Sequence, residues 1–244
     1  LPSTPARVRA AFSRPWRSLG VCLLLTATLL PAARAQQTVV VNYGNGSLSV
    51  VDLNTGARTV LASASLGTGP EFQSPLGIVQ AGDGSLLVAN RGGKSLLRVD
   101  PATGNRTELS GPNVGAGPAF NDPWAVAVES DGNILVGDQG SGHNLYRVDP
   151  VTGDRVILTA NFASITGLWI EPDGNIVVVN IGKGGGGSLL RVNKTTGAWT
   201  TITGEGSFLK RPTGLARRAN GHFLVTNETN PNLVDVDPVN GAQT

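Results

Sequence analysis

The chain has 244 residues, of which 33 are Gly and 15 are Pro, while only 5% are aromatic. This composition favours many short strands joined by tight turns over a helical bundle, so we predict an all-β fold. Lys and Arg number 19 against 17 Asp and Glu, and no basic patch with interleaved aromatic residues follows the first 35 residues, which argues against nucleic acid as a partner.

The first 35 residues have the pattern of a cleavable signal peptide. Basic residues precede an apolar run from Leu19 to Leu30, and Ala33 and Ala35 place small residues at both positions that a signal peptidase recognises. We therefore predict cleavage before Gln36 and a secreted, periplasmic or extracellular protein. A membrane anchor is the alternative, but the run is shorter than the roughly 20 apolar residues of a membrane span, so no span is expected after cleavage.

Removing this segment reverses the sign of the net charge. It holds five of the 19 basic residues and none of the 17 acidic ones, which leaves 14 basic residues against 17 acidic ones and a net charge of about −3. Cys22, the only cysteine, also lies in this segment. The mature chain is therefore expected to contain no disulfide, thiolate metal ligand or cysteine nucleophile.

The rest of the chain, residues 36–244, is a repeat with a period of 42 to 48 residues. Each copy contains short apolar runs separated by turn residues, which predicts a four-stranded antiparallel sheet. One such sheet cannot cover its own faces, whereas about five of them stacked radially can, so we predict a β-propeller. A solenoid is the alternative, but the sequence lacks helical spacing. The second apolar run of each copy is closed by an Asn or Asp, namely Asn42, Asn90, Asp138, Asn180 and Asn227.

The two ends of the predicted sheets differ in their connections. Short Asp-Gly or Asn-Gly turns and Asp-Pro-x-x-Gly turns both fall on one face, which is expected to be structural. The opposite face receives the longer loops between second and third strands and the crossovers between sheets, where binding usually occurs. The candidate ligand residues on that face are Asn42, Arg91, Gln139, His143 and Lys183.

The motifs Asp-Gly-Asn-Ile-x-Val, a following Asn or Asp, and Leu-x-Arg-Val-Asp-Pro-x-Thr-Gly give the chain a family likeness. It resembles the NHL-repeat propellers and is similar to gluconolactonase-like and streptogramin-lyase-like secreted propellers. Such propellers close with six or seven blades. Fewer than five complete copies are present here, so we expect a fragment of a longer ring, incomplete at its C-terminal end.

The oxygen atoms of the recurring Asn and Asp side chains are ligands of the kind that Ca²⁺ prefers. The resemblance implies a metal near the tunnel mouth, held by such groups together with a Glu. The candidate ligands for Ca²⁺ or another divalent cation are therefore Asp138, Asn90, Asn180, Asn227 and Glu228. We favour over this metal site the interpretation that each Asn or Asp side chain caps the loop that follows it through a local hydrogen bond.

The sequence contains no identifiable catalytic constellation, since His143 and His222 are its only histidines and neither has a recurring partner. Our leading interpretation is an exported binding or interaction module for a protein, carbohydrate or small-molecule ligand. A metal-assisted lactonase, hydrolase or lyase with a site at the tunnel mouth is the first alternative. A structural repeat protein of the cell envelope is the second.

Overall fold

The computed structural model describes residues 36–182, 184–204, 208–229 and 232–244. These residues form 18 β-strands in five antiparallel sheets and contain no helix. The described part of the chain therefore has no helix that is long and apolar enough to cross a membrane. The predicted signal peptide and Lys183 lie outside the described residues.

Neighbouring strands in every sheet are consecutive in the chain. The first sheet contains β1 (Gln37–Asn42), β2 (Ser47–Asp52) and β3 (Arg58–Ala62). The second contains β4 (Pro75–Gln80), β5 (Leu86–Asn90), β6 (Ser95–Val99) and β7 (Arg106–Ser110). The third contains β8 (Pro123–Val128), β9 (Ile134–Asp138), β10 (Leu145–Val148) and β11 (Arg155–Thr159). The fourth contains β12 (Ile165–Ile170), β13 (Ile176–Ile181), β14 (Gly187–Val192) and β15 (Trp199–Thr203). The fifth contains β16 (Pro212–Arg217), β17 (Phe223–Asn227) and β18 (Leu233–Val236).

The sheets stack side by side as the blades of a β-propeller. Successive first strands contact one another in the order β4, β8, β12 and β16, and β1 contacts β4. The first strands are therefore innermost, and the fourth strands form the outer rim. Because β1 ends at Asn42 as β5 ends at Asn90, the first blade holds the second to fourth strands of the repeat. The predicted all-β propeller with about five blades is confirmed.

A hydrophobic core fills each space between successive blades. Side chains alternate between the two faces of a strand. Leu86 and Val88 accordingly enter the core shared with the first blade, whereas Leu87 enters the core shared with the third. Two further cores join the third blade to the fourth and the fourth to the fifth. A blade therefore needs a neighbour on each side, which explains the radial stacking.

The short turns between first and second strands have the predicted glycine chemistry. Gly84, Gly132, Gly174 and Gly221 all have φ between 84° and 92°, a left-handed conformation that glycine adopts without steric cost. These turns and those between third and fourth strands make up the turn face. The loop face consists of residues 43–46, 91–94, 139–144, 182, 184–186, 228, 229 and 232, together with the described ends of the crossovers between blades.

Arginines on third strands fasten one blade to the next near the turn face. Arg147 donates to both carboxylate oxygens of Glu129 at 2.5 and 2.7 Å. The same guanidinium donates to the Lys194 carbonyl of the following blade at 2.8 Å. The paired carboxylate orients the arginine, and the carbonyl contact connects two blades that share no strand pairing.

The last blade keeps this ion pair but exchanges its charges. In the fourth blade Arg191, on the third strand, pairs with Glu171 at 2.6 and 2.9 Å. In the fifth blade the third strand supplies Asp235, and the partner at the position of Glu171 is Arg218, at 2.5 Å. The fourth and fifth blades therefore keep opposite charges at these two positions while exchanging the residue types.

The long crossovers are held to the outside of the following blade by buried arginines. Arg106 donates to the carbonyl groups of Pro70 at 2.7 Å and Leu66 at 3.1 Å. Its guanidinium also lies 5.0 Å from the centroid of the Phe72 ring. Arg155 makes the corresponding contacts one blade further on. The first part of each long crossover is thus anchored, and only its end reaches the loop face.

Candidate functional site

The recurring Asn and Asp side chains anchor the crossovers where these enter the innermost strands. Asn90 accepts a hydrogen bond from the Gln73 amide at 2.6 Å and donates to the Glu71 carbonyl at 3.1 Å. Asn227 repeats this arrangement with the Lys210 amide and the Phe208 carbonyl, at 3.0 and 2.6 Å. The anchored backbone lies 17 to 19 residues before the side chain, so the anchored segment is the preceding crossover.

Asn180 makes the same kind of contact in the fourth blade. Its carbonyl oxygen accepts from the backbone amides of Ala163 and Ser164 at 2.9 and 3.1 Å, and its amide donates to Ser188 at 3.1 Å. Asn180 is only 9% exposed. Loop capping was predicted for these residues, but the structure places it mainly on the preceding crossover rather than on the following loop.

Asp138 is the one carboxylate in this set, and its surroundings explain the exception. It is fully buried and accepts hydrogen bonds from the amides of Asn121 at 2.8 Å and Gly140 at 2.7 Å. The carbonyl of Ala119, which corresponds to that of Glu71, receives its hydrogen bond from the Tyr146 hydroxyl instead, at 3.0 Å. A side-chain amide is therefore not needed in this blade.

The structure separates the other predicted polar residues. Asn42 donates to the hydroxyl groups of Ser47 and Ser49 at 3.2 and 3.0 Å. It also lines a groove of about 290 Å³ on the face of the first blade that points away from the second blade. Glu228 forms a half-exposed ion pair with Arg211 at 2.9 Å. Among the described residues, no group of three or more His, Cys, Asp or Glu could hold a metal ion. The Ca²⁺ site stays a prediction.

The two residues that follow Asn90 and Asp138 bridge to the next blade. Gln139 donates to the Ile165 carbonyl at 3.0 Å. Arg91 forms a two-point ion pair with Asp122, which stands directly before β8. The Asp122 contact raises the pKa of Arg91 above its usual value, although partial burial opposes the rise.

Arg91 is also held by two aromatic side chains. It donates to the Tyr43 hydroxyl at 3.3 Å, and its guanidinium lies 5.2 Å from the centroid of the Trp124 ring. These contacts come from the first and third blades, so the side chain of Arg91 ties three blades together. Such a clamped guanidinium loses little conformational freedom when it binds a ligand.

An open cleft of about 390 Å³ lies beside this arginine on the loop face. It lies between the second and third blades, and its walls combine the loop after β5 with the ends of two crossovers. The lining residues are Ser74, Arg91, Gly92, Lys94, Asn121 and Asp122. Of the predicted ligand residues that the structure describes, Arg91 lines this cleft, whereas Asn42, Gln139 and His143 do not.

The histidines lie outside the cleft. His143 occupies the repeat position of Lys94 and has the same left-handed backbone, with φ of 43° and 50°. Its Nδ1 is buried without a hydrogen-bond partner in the described part of the chain. His222 lies on the turn face and contacts Asp235 through Nδ1 at 2.6 Å.

The described blades define a β-propeller, and solved structures share this fold at low sequence identity. A gluconolactonase from Xanthomonas campestris has a TM-score of 0.69 and 17% identity, over 85% of this chain and 70% of that one. Virginiamycin B lyase from Staphylococcus aureus has a TM-score of 0.66 and 12% identity, over 92% of this chain and 69% of that one. A chain of the nidogen/laminin complex has a TM-score of 0.69 and 14% identity, over 85% of this chain and 74% of that one.

The resemblance to gluconolactonase-like and streptogramin-lyase-like propellers is thereby confirmed at the level of fold, and the NHL-repeat name stays a prediction. No protein-family model matches the sequence, and no curated protein is significantly similar to it.

Proposed function

We propose that this protein is an exported binding module that holds a small polar ligand in the cleft beside Arg91. The observation that carries the proposal is the cleft itself: about 390 Å³ of space, lined by charged, amide and hydroxyl side chains, on the loop face of a rigid scaffold. Export rests on the signal-peptide pattern of residues 1–35.

The anchoring of the cleft walls supports a binding role. Asn90 holds the crossover that contributes Ser74, and Asp138 holds the one that contributes Asn121. Arg91 is fixed by Asp122 from the opposite wall. Because these groups are already ordered, a ligand needs to immobilise few side chains, which favours affinity.

The side-chain oxygen atoms of Asn90, Asp138, Asn180 and Asn227 already accept backbone amide hydrogens, which favours binding over metal-assisted catalysis. Both carboxylate oxygens of Asp138 accept backbone amide hydrogens. A cation would have to displace these bonds and release a crossover. The relatives in fold include a gluconolactonase and a lyase, but identities of this size indicate only a shared scaffold.

Mapping of backbone amide shifts by NMR tests the proposal. Glucose, glucuronate, glycine and glycerol are added separately to the isotope-labelled whole chain, and we expect at least one to shift the amides of Gly92 and Asn121. Asp122→Asn should change that response, whereas Glu228→Gln, which removes the carboxylate of another arginine pair on the same face, should not. Shifts confined to the groove of the first blade or to the turn face would overturn the proposal.

A further inference from the structure

The donors of Arg91 are only partly used by the protein. A guanidinium has five N–H donors in a fixed plane. The contacts with Asp122 and Tyr43 use Nε and one hydrogen on each of the two terminal nitrogens. With respect to the described residues, one N–H on each terminal nitrogen therefore remains available, and about a third of the side chain is exposed.

The charge of the cleft is not balanced. Its lining contains Arg91, Lys94 and Asp122, which gives a net charge of +1. Asp122 is committed to Arg91, and Lys94 forms no ion pair with any residue of the described ranges. A monoanion would neutralise the cleft, whereas a dianionic phosphate would leave an excess negative charge next to Asp122.

We propose that the ligand of this cleft is a small hydroxylated carboxylate, held by the terminal nitrogens of Arg91 and the ammonium of Lys94. This inference rests on the proposed function and names the chemical class of its ligand. Arginine is the side chain best matched to the planar carboxylate group. Ser74 and Asn121 on the cleft walls offer hydrogen-bonding groups to hydroxyls on the remainder of the ligand.

Titration of the whole chain with glucuronate and with glucuronamide tests the carboxylate directly, since the two probes differ only in the group that Arg91 would bind. We expect glucuronate to shift the Gly92 and Gly93 amides and to bind at least about tenfold more tightly than glucuronamide. Inorganic phosphate is the third arm and should compete with glucuronate weakly. Equal competition would show that the cleft takes any oxyanion and would overturn the carboxylate assignment.

Two variants connect the binding to the named side chains. Lys94→Asn removes the charge and retains a residue type that tolerates the left-handed backbone of this position, with φ of 50°. It should weaken glucuronate binding about threefold to tenfold. Lys210→Asn removes the same charge from an exposed position on another crossover and should leave affinity unchanged. Arg91→Lys keeps the charge but not the planar donors, and it should weaken binding further.

The outcomes separate this inference from the proposed function. If glucuronate and glucuronamide shift the cleft amides with equal affinity, the carboxylate assignment is wrong and the cleft remains the binding site. The same holds if only neutral probes shift these amides. If no probe shifts them, the proposed function and the carboxylate assignment both fail.

Discussion

Replacing Tyr146 by Phe tests why the third blade has Asp138 where the other blades have Asn. The Tyr146 hydroxyl donates to the Ala119 carbonyl at 3.0 Å and accepts from the side-chain amide of Asn144 at 3.1 Å. Tyr146→Phe removes both bonds and leaves the buried amide of Asn144 unpaired. We therefore expect the free energy of unfolding to fall by about 1–3 kcal/mol, measured by urea denaturation of the whole chain.

The second half of the test is Asp138→Asn, alone and combined with Tyr146→Phe. Alone, it weakens charge-assisted hydrogen bonds and should cost about 1–3 kcal/mol. In the Phe background the new side-chain amide can donate to the Ala119 carbonyl, as Asn90 does to the equivalent carbonyl. The double variant should then be about 1 kcal/mol more stable than the sum of the two single effects.

A matched control for this cycle exists in the second blade. Asn90→Asp gives the second blade the carboxylate that Asp138 provides in the third. In the second blade, however, Leu97 occupies the position that corresponds to Tyr146, and it supplies no hydrogen-bond donor. Asn90→Asp should therefore destabilise the chain by about 1–3 kcal/mol, with no compensation from the Leu97 position. The reasoning would be refuted if Asp138→Asn and Tyr146→Phe were additive within about 0.5 kcal/mol.

Three further predictions concern ion pairs within the blades and the arginine that anchors a crossover. Glu171→Arg and Arg191→Asp should each lower the free energy of unfolding by about 1–2 kcal/mol, measured by urea denaturation. The double variant should recover at least half of the lost stability, because the fifth blade already carries the exchanged pair. Recovery would be absent if the geometry allowed only one arrangement of the two charges. Arg106→Met should cost about 2 kcal/mol and speed proteolysis of the preceding crossover, and cleavage at the wild-type rate would contradict the anchoring role. Hydrogen bonding to His222 lowers the pKa of Asp235. The stability that this carboxylate contributes is therefore complete above its unfolded pKa and is lost as the pH falls through its folded pKa. Asp235→Asn should flatten the fall of the thermal midpoint below about pH 4, and an unchanged pH profile would count against the pair.

Much of the fold could be predicted because its determinants are local. Each glycine of the turns between first and second strands follows an Asp or Asn directly, and the apolar runs of β5, β9 and β13 are buried on both faces. The recurring position of Asn90 and Asp138 was evident from the repeat alone. Their roles were harder to predict, because the backbone that Asn90 binds lies 17 residues earlier and is brought there by the crossover.

The cleft could not be predicted in the same way, since it is formed between blades. Arg91 was identified from its loop position, but its partner Asp122 lies 31 residues away in the following blade. Tyr43 and Trp124 approach the same guanidinium from two different blades. The twist and stacking of the sheets decide which of these residues meet, and a repeat pattern does not specify that geometry.

Calcium titration of the chelator-treated whole chain most directly tests the claim that the Asn and Asp set anchors loops while the ligand binds in the cleft. Calorimetry combined with amide shift mapping gives both affinity and location. We expect millimolar Ca²⁺ to leave the amides of Asn121, Asp122 and Gly140, which are bound by Asp138, unshifted. Tight binding that shifts these amides and is lost in Asp138→Ala would contradict the account and favour a metal-assisted enzyme.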